Sequence, residues 1–174
     1  NRVVAAPAPT DHGWERVMEL ARLERFEEAL AGLAALPGEV ARTREALLLR
    51  AALLTNAGRL AEAERACNEA IARDELDPGA HYLLALAREH AGDAVAARRH
   101  DEAALYLDPD FAMPHLHLGL MARRRGDLAA ARGAFERALA LVPGEPTPRL
   151  ELFGGGFTRE ALVSLCRAQL GGLA

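Results

Sequence analysis

Residues 92–104 of the chain have the sequence GDAVAARRHDEAA, and residues 126–138 have the related sequence GDLAAARGAFERA. The same frame fits residues 58–70, GRLAEAERACNEA, so three segments begin with Gly and end with Ala at intervals of 34 residues. The Ala at the sixth position keeps this interval as well, and Ala29 extends it by one interval toward the N-terminus. A constant interval of this length indicates tandem repeats, each made of one small structural unit.

A period of 34 residues is typical of the tetratricopeptide repeat, a pair of antiparallel helices joined by a turn. The composition agrees, because Ala and Leu are abundant and only 5% of the residues are aromatic, which favours helices over strands. We therefore predict an all-α fold, a right-handed tetratricopeptide-like superhelix of antiparallel helix pairs. The four units are predicted at residues 10–43, 44–77, 78–111 and 112–145.

The ends of the predicted helices carry local signals. Gly58, Gly92 and Gly126 are placed where the first helix of a unit ends, and glycine adopts the left-handed conformation that closes a helix without a steric cost. Asp93 and Asp127 follow two of these glycines, and their carboxylates can cap the next helix. These signals predict that the first helix of a unit ends at the glycine and the second begins directly after it.

Small residues recur where the two helices of a unit must cross. Close approach of two helices leaves room only for small side chains, and larger ones overpack the crossing. The predicted crossing positions are Ala51, Ala85 and Gly119 on the first helices and Ala63, Ala97 and Ala131 on the second helices.

Both ends of the chain depart from the repeat. Residues 1–9 are rich in Ala and Pro and are predicted to be a linker, and a start at Asn1 leads us to expect a piece of a longer polypeptide. The first unit, 10–43, is degenerate and has Glu24 where the other units have Gly. Terminal units of a helical repeat are often atypical because one side faces water.

The C-terminal part is predicted to be a loop followed by one helix. Residues 146–157 contain several Pro and Gly and are predicted to be irregular. Thr158 can then cap a helix over 158–174, whose apolar stripe is expected to cover the exposed end of the fourth unit. We therefore expect a C-terminal capping helix.

Bulk properties exclude several classes of protein. The net charge of −4 gives no general attraction to nucleic acid, so no nucleic-acid partner is expected. No apolar run approaches the roughly 18 to 20 residues of a membrane span, and no secretory signal is present, so direct membrane insertion is not expected. Cys67 and Cys166 are far apart and fall on apolar helix faces, which favours reduced thiols and a cytoplasmic location.

The inner, concave face of the predicted superhelix is the candidate site for a protein or peptide partner. First helices line this face, and an apolar strip with a polar rim suits an amphipathic helix or an extended segment. The alternative is that some of these residues pack against the linker or the C-terminal tail. By repeat position the candidates are Trp14, Met18, Leu48, Ala52, Asn56, Tyr82, Leu86, Glu89, His90, Met113, Leu116, Leu120, Arg123 and Arg124.

The basic run Arg123–Arg125 has two interpretations. Cations at the end of a helix are favoured by the helix dipole and the free carbonyl groups, which makes solvated surface charge the simpler interpretation. An acidic segment of a partner is the other.

Neither catalysis nor a cofactor has support in the sequence. His115 and His117 are two residues apart, so they point in different directions on a helix, and no further ligand completes a metal site. Ser164 lies within a predicted helix without a recognisable base. Gly154–Gly156 lack the following Lys-Ser or Lys-Thr of a phosphate loop, so these glycines are predicted to form a tight turn instead. We expect no catalytic residue, no cofactor and no metal.

Two segments resemble a known family more specifically. LYLDPDFAMPHLHLG at 105–119 and LFGGGFTREAL at 152–162 resemble the C-terminal tetratricopeptide region of CheR-type chemoreceptor methyltransferases. The resemblance covers about residues 44–170, and its specific part is the Phe-Gly-Gly-Gly-Phe tail. It implies a regulatory or targeting domain that contacts a chemoreceptor, a signalling protein or the catalytic domain of its own parent. The family's enzyme uses S-adenosylmethionine, but its catalytic and cofactor-binding motifs lie in another domain and are not found here.

Two functional hypotheses follow. The first is a non-catalytic protein–protein interaction domain that regulates or targets a CheR-type methyltransferase through the concave groove. The second is a general tetratricopeptide scaffold or adaptor outside chemotaxis, for example in secretion or pilus assembly. A self-contained enzyme built around the histidines is a third class, and metal analysis of the purified protein tests it.

Overall fold

The structure, a computed structural model, describes residues 10–173, and these contain eleven α-helices, a short 3-10 turn at Val142–Gly144 and no strand. The predicted linker at 1–9 lies outside the described residues. The helices are α1 Thr10–Arg22, α2 Phe26–Ala34, α3 Gly38–Ala41, α4 Arg44–Asn56, α5 Leu60–Arg73, α6 Pro78–His90, α7 Ala94–Leu107, α8 Ala112–Arg124, α9 Leu128–Leu141, α10 Thr147–Phe153 and α11 Arg159–Gly171.

Consecutive helices pack in antiparallel pairs: α1 with α2, α4 with α5, α6 with α7 and α8 with α9. The pairs stack into a right-handed tetratricopeptide-like superhelix, as predicted, with α4 lying against α6 on the inner side. All six predicted crossing residues are buried, and the five alanines among them have no exposed surface. The core is continuous from the second unit to the C-terminal helix, and a second cluster of buried residues holds the first unit.

The predicted helix-end signals are confirmed. Gly58, Gly92 and Gly126 have φ angles of 73°, 84° and 78°, all in the left-handed region. The side chains of Asp93 and Asp127 accept hydrogen bonds from backbone amides three residues later, at 2.9 and 3.1 Å. Each pair of residues thus ends one helix and begins the next.

Glu24 occupies the corresponding position in the first unit and also adopts a left-handed conformation, with φ of 56°. The left-handed conformation costs a non-glycine residue about 1–2 kcal/mol, although glycine also loses more chain entropy on folding. We expect Glu24→Gly to raise the free energy of unfolding by about 0.5–1 kcal/mol. Urea denaturation checks this, and Gly92→Ala is the matched control.

Gly92 suits this comparison because a Cβ added there would meet nothing within 4 Å, so only the backbone conformation is tested. Gly92→Ala is expected to lower the free energy of unfolding by about 1 kcal/mol. If both substitutions change the free energy of unfolding by the same amount in the same direction, the left-handed backbone conformation does not explain their effects.

The C-terminal helix α11 covers the end of the stack by packing on α9. Thr158 caps it as predicted, with its side-chain oxygen accepting a hydrogen bond from the amide of Ala161 at 3.2 Å. Leu162 and Cys166 form its buried face. These contacts close the apolar surface that the fourth unit would otherwise leave exposed.

The prediction of an irregular loop over 146–157 was wrong for residues 147–153, which form α10. Pro146 precedes the helix and Pro148 lies in its first turn, where amide groups need no partner within the helix, so neither proline prevents a helix. Leu150 and Phe153 are both buried. Burial of these two side chains stabilises the helix. The high content of Pro and Gly in the segment led to the opposite prediction.

Candidate partner-binding groove

The first helices of the four units present three parallel rows of side chains on the concave face, because residues 34 apart are equivalent. We call them row one, row two and row three. Row one is Trp14, Leu48, Tyr82 and Leu116. Row two is Met18, Ala52, Leu86 and Leu120. Row three is Arg22, Asn56, His90 and Arg124.

Row one is not a free surface, which corrects part of the predicted site. Three of its members are buried, with at most 7% of their surface exposed, and only Trp14 in this row remains half-buried. Two other predicted groove residues are buried as well, so these five side chains together offer a partner almost no accessible surface. The five are Met18, Leu48, Tyr82, Met113 and Leu116.

Helix α10 supplies part of the cover. Leu150 and Phe153 belong to the same buried cluster as Leu48 and Tyr82. Leu152 packs against the cluster of the first unit, which includes Met18. The sequence pattern of the first helices indicates which side of each helix is apolar, but it could not show that a later segment of the chain folds onto that side.

Phe153 fits into an aromatic pocket. Its ring lies edge-on to Tyr82 and Phe111, with centroid distances of 6.0 and 5.2 Å. Gly79 forms the floor, since a Cβ added there would lie 2.4 Å from the Phe153 ring. Edge-to-face aromatic pairs contribute about 0.5–1.5 kcal/mol each beyond the burial of apolar area. The pocket therefore selects a flat ring at this position of α10.

Arg149 also anchors α10 to the rest of the chain. Its guanidinium donates hydrogen bonds to Asp108 at 2.5 Å and to Glu145 at 3.0 Å, and it lies over the Phe111 ring, 4.4 Å from the centroid. Glu145 is itself buried and accepts a hydrogen bond from the amide of Ala112 at 2.8 Å. This bond gives a partner to one of the amide groups in the first turn of α8, which have none within the helix. The two carboxylates thus form an anionic site that a cation on the helix fills.

The three glycines after Phe153 form the tight turn that the sequence predicts. A Cβ on Gly154 would lie 2.5 Å from the carbonyl oxygen of Leu150, too close for any side chain. Gly155 and Gly156 have φ angles of 61° and 83°, which favour glycine. Phe157, at the end of the turn, is half exposed. The turn reverses the chain from α10 into α11.

The rest of the concave face stays accessible. Ala52, Leu86 and Leu120 of row two are half-buried and form an apolar strip. The predicted polar rim beside it is exposed at Asn56, His90, Arg123 and Arg124. This strip and its rim, which we call the open groove, is the part of the predicted site that a partner can reach.

One end of the open groove deepens into a cavity of about 300 Å³ between the first two units and the C-terminal segment. Met18, Ala52 and Leu152 give it an apolar lining, and Asn56 and Glu151 lie on its edge. Arg22, across the cavity, donates a hydrogen bond to Glu151 at 3.3 Å. The cavity has the mixed lining of a pocket for one side chain of a partner.

Glu89 of the predicted site belongs to a buried polar network. His117 contacts Asp101 through Nδ1 at 2.6 Å and Glu89 through Nε2 at 2.9 Å. Arg124 also donates a hydrogen bond to Glu89. Asp101 and His117 are almost entirely buried, so the network joins α6, α7 and α8 inside the stack rather than offering a surface for a ligand.

The network favours a charged imidazole. Burial alone would lower the pKa of His117, but the hydrogen bonds to Asp101 and Glu89 outweigh it and raise the pKa to about 9. Burial raises the pKa of Asp101 to about 6, although the hydrogen bond with His117 opposes the shift. The hydrogen bond from His117 lowers the pKa of Glu89. Near neutral pH the network is therefore a cation held between two carboxylates.

Stability is expected to fall as the pH rises, because the folded protein holds the His117 proton more tightly than the unfolded chain does. The contribution is complete below about pH 6.5, the ordinary pKa of histidine, and is lost as the pH passes 9. We expect a decrease in the free energy of unfolding on the order of 2–3 kcal/mol across this window. Urea denaturation at a series of pH values measures it.

The variant Asp101→Cys/His117→Leu should remove this slope, because Cys67 and Leu83 occupy the same two positions one repeat earlier. An unchanged slope in that variant would assign the pH dependence to other groups.

The remaining chemistry of the described residues is modest. His115 contacts the carbonyl oxygen of Pro109 through Nε2 at 3.1 Å. In the part of the chain from residue 10 to 173, His, Cys, Asp and Glu side chains form no group of three or more that could hold a metal ion. No helix among the same residues is long and apolar enough to cross a bilayer.

A stack of paired helices with one accessible concave strip is a helical-repeat interaction domain. The family model of the tetratricopeptide repeat matches residues 57–112 and 102–146, which together cover more than half of the chain. The protein belongs to the tetratricopeptide repeat family. Proteins built from this repeat are generally non-catalytic scaffolds that bind other proteins or peptides.

Solved structures of similar fold come from other repeat proteins. TTC0263, a thermophilic tetratricopeptide protein of Thermus thermophilus, is 21% identical and has a TM-score of 0.68, over 95% of this chain and 91% of that one. MamA, residues 41 to the end, from Desulfovibrio magneticus RS-1 is 22% identical with a TM-score of 0.59, over 78% and 76%. At these identities the likeness shows the fold alone. No curated protein matches the sequence.

Two parts of the site were not predicted from the sequence. The first is α10, whose Arg149, Leu150 and Phe153 share a helix face at spacings of one and four residues, a signal that the prolines concealed. The second is the polar network: Asp101 stands where neighbouring repeats have Cys67 and Phe135. A charged residue at a core position is a signal for a buried partner, but the sequence does not identify that partner as His117.

Proposed function

We propose that this tetratricopeptide domain binds a segment of another protein in its open groove and has no catalytic role. The observation that carries the proposal is the accessible apolar strip of Ala52, Leu86 and Leu120 beside an exposed polar rim. Apolar strips of this kind accept amphipathic helices or extended segments, and polar rims set their orientation. The rim is basic at Arg123 and Arg124, and although Arg124 is paired with Glu89, Arg123 favours an acidic residue on the partner.

The parent of this domain, in our proposal, is a CheR-type chemoreceptor methyltransferase of the cytoplasm, which the domain regulates or targets. Support comes from the resemblance of residues 105–119 and 152–162 to the C-terminal region of that family. These segments hold much of the C-terminal architecture, since they supply Asp108, Phe111 and Phe153. The partner is then a chemoreceptor, a signalling protein or the parent's own catalytic domain.

The alternative is a general scaffold or adaptor outside chemotaxis, in secretion or pilus assembly. The family match favours it equally, because that match rests on the repeats alone. The two candidates differ in the partner and in the gene. A methyltransferase domain encoded before Asn1 supports the first, and its absence supports the second.

Binding assays with two matched pairs of substitutions test the groove. Leu86→Ala/Leu120→Ala truncates the apolar strip, whereas Val95→Ala/Leu128→Ala truncates exposed apolar residues on second helices. The probes are the cytoplasmic segment of a chemoreceptor and a CheR-type catalytic domain. We expect the first pair to raise the Kd at least about tenfold and the second pair to leave it unchanged.

The outcomes test the chemotaxis hypothesis and the open groove separately. Binding of neither probe removes the chemotaxis hypothesis and leaves the scaffold hypothesis. Equal weakening by both pairs, with unfolding temperatures unchanged, contradicts the open groove as the binding surface.

A further inference from the structure

We infer that the part of the concave face under α10 is a second docking surface, whose occupant in a complex is a short amphipathic helix of another protein. That helix carries arginine at one position, an apolar residue at the next and an aromatic ring four residues after the arginine. Helix α10 is the internal occupant of the same surface. The inference rests on the proposed function and adds the chemistry of the partner segment.

The surface under α10 is complementary to this pattern residue by residue. Gly79, Tyr82 and Phe111 form the ring pocket, in which Phe153 makes two edge-to-face contacts. Asp108 and Glu145 form the anionic site that Arg149 fills. Both features belong to residues outside α10, so they remain when α10 leaves. An arginine is favoured over a lysine, because the guanidinium contacts both carboxylates and also lies flat on Phe111.

Glu145 stays in place because it is part of the stack. Its side chain is buried and bound to the amide of Ala112, and the carbonyl groups of Val142 and Pro143 accept hydrogen bonds from Arg159 at 2.7 and 2.9 Å. The movable segment therefore begins after Pro146, where the chain enters α10.

Several features make α10 displaceable. It has only seven residues, too few for a helix that is stable without its contacts. Gly154–Gly156 follow it and permit a wide range of backbone conformations. It borders three cavities of about 300, 240 and 280 Å³, each lined in part by Glu151. A helix bordered by cavities has fewer contacts to lose on leaving than one packed on all sides.

An internal occupant competes with an external one at an effective concentration in the millimolar range for a short tether. A partner helix therefore binds weakly to the intact chain unless it is longer or makes further contacts, for example with the open groove. Removal of the anchors of α10 removes this competition. The surface then binds the partner helix with its intrinsic affinity.

Peptide binding to an opened variant tests the inference. The variant is Arg149→Ala/Phe153→Ala in the full chain, and the probe is a fluorescent peptide with the sequence of residues 146–157, PTPRLELFGGGF. We expect the opened variant to bind this peptide at least about tenfold more tightly than the unmodified chain does. A control peptide with Ala at both anchor positions should not bind.

A further substitution locates the site. Gly79→Val in the opened variant places a side chain where the Phe153 ring lies, and it is expected to abolish peptide binding. Circular dichroism and thermal unfolding establish that each variant is folded. Equal affinity of the opened variant and the unmodified chain, or of the probe and control peptides, would overturn the inference.

Hydrogen exchange on the unmodified protein covers the case in which the opened variant does not fold. The amides of α10 are expected to exchange at least about tenfold faster than those of α6, because α10 leaves its surface without unfolding of the stack. Equal protection of the two helices makes α10 a permanent part of the core and overturns the inference. The row-two substitutions that test the proposed function do not touch the ring pocket, so each proposal can fail alone.

Discussion

His117→Leu is expected to lower the free energy of unfolding by about 3–5 kcal/mol. The substitution leaves Asp101 buried, with no exposed surface and without its hydrogen-bond partner. One oxygen of Asp101, Oδ1, already lacks a hydrogen bond among the described residues, so the carboxyl group has no second partner to use. Urea denaturation at pH 7 measures the loss.

The matched control restores an apolar pair. Asp101→Cys/His117→Leu gives the contact between α7 and α8 the residues that Cys67 and Leu83 supply one repeat earlier. Replacing a buried ion pair by apolar residues is often neutral or stabilising, so we expect most of the loss to be recovered. A double variant as unstable as His117→Leu would contradict the assignment of the loss to the uncompensated charge.

Phe135→Ala is expected to cost about 3–5 kcal/mol as well, because it leaves a cavity at a helix crossing. The ring has no exposed surface and lies over Gly119, where an added Cβ would approach it within 2.6 Å. The second and third units place Ala at the position of Gly119 and a smaller residue at that of Phe135. Thermal and urea denaturation both measure the effect.

Gly119→Ala alone is expected to destabilise by overpacking, at about 1–3 kcal/mol. Gly119→Ala/Phe135→Leu should cost less than the sum of its two single substitutions, because the smaller side chain makes room for the added methyl group. Additive costs would show that the two residues do not share one packing site.

Much of the stack of helix pairs was predictable because the same local interactions form the helices of each unit. The glycines at 58, 92 and 126 have left-handed φ angles, and the aspartates that follow the last two of them cap helices. The alanines at the crossings are buried because no larger side chain fits. Each of these features depends on residues a few positions apart or on one helix pair, and such information is present in a single sequence.

The parts that were not predicted depend on contacts between distant segments. Residues 147–153 are helical because Leu150 and Phe153 pack on α4 and α6, about three and two repeats earlier. A contact between such distant segments does not appear in the periodic pattern of the sequence. The same contact explains why Leu48 and Tyr82 are buried instead of exposed. Amphipathic spacing shows which side of a helix is apolar, but it does not show what covers that side.

The polar network was predictable only in part. Asp101 at a core position of the repeat is visible in the sequence, and His117 stands where Leu49 and Leu83 stand in earlier units. Each departure alone has many explanations. Only the contact between α7 and α8 brings the two together at 2.6 Å.

Spin labels at two positions on the concave side test directly whether α10 lies there. The variant is Asn56→Cys/Glu151→Cys, whose two positions line the same cavity, one on α4 and the other on α10. The native thiols do not interfere, because Cys67 and Cys166 are fully buried and burial raises the pKa of Cys67 to about 12. We predict a single short distance with a narrow distribution between the labels. A broad distribution centred at long distance would contradict the packing of α10 on the concave face and would place row one in solvent.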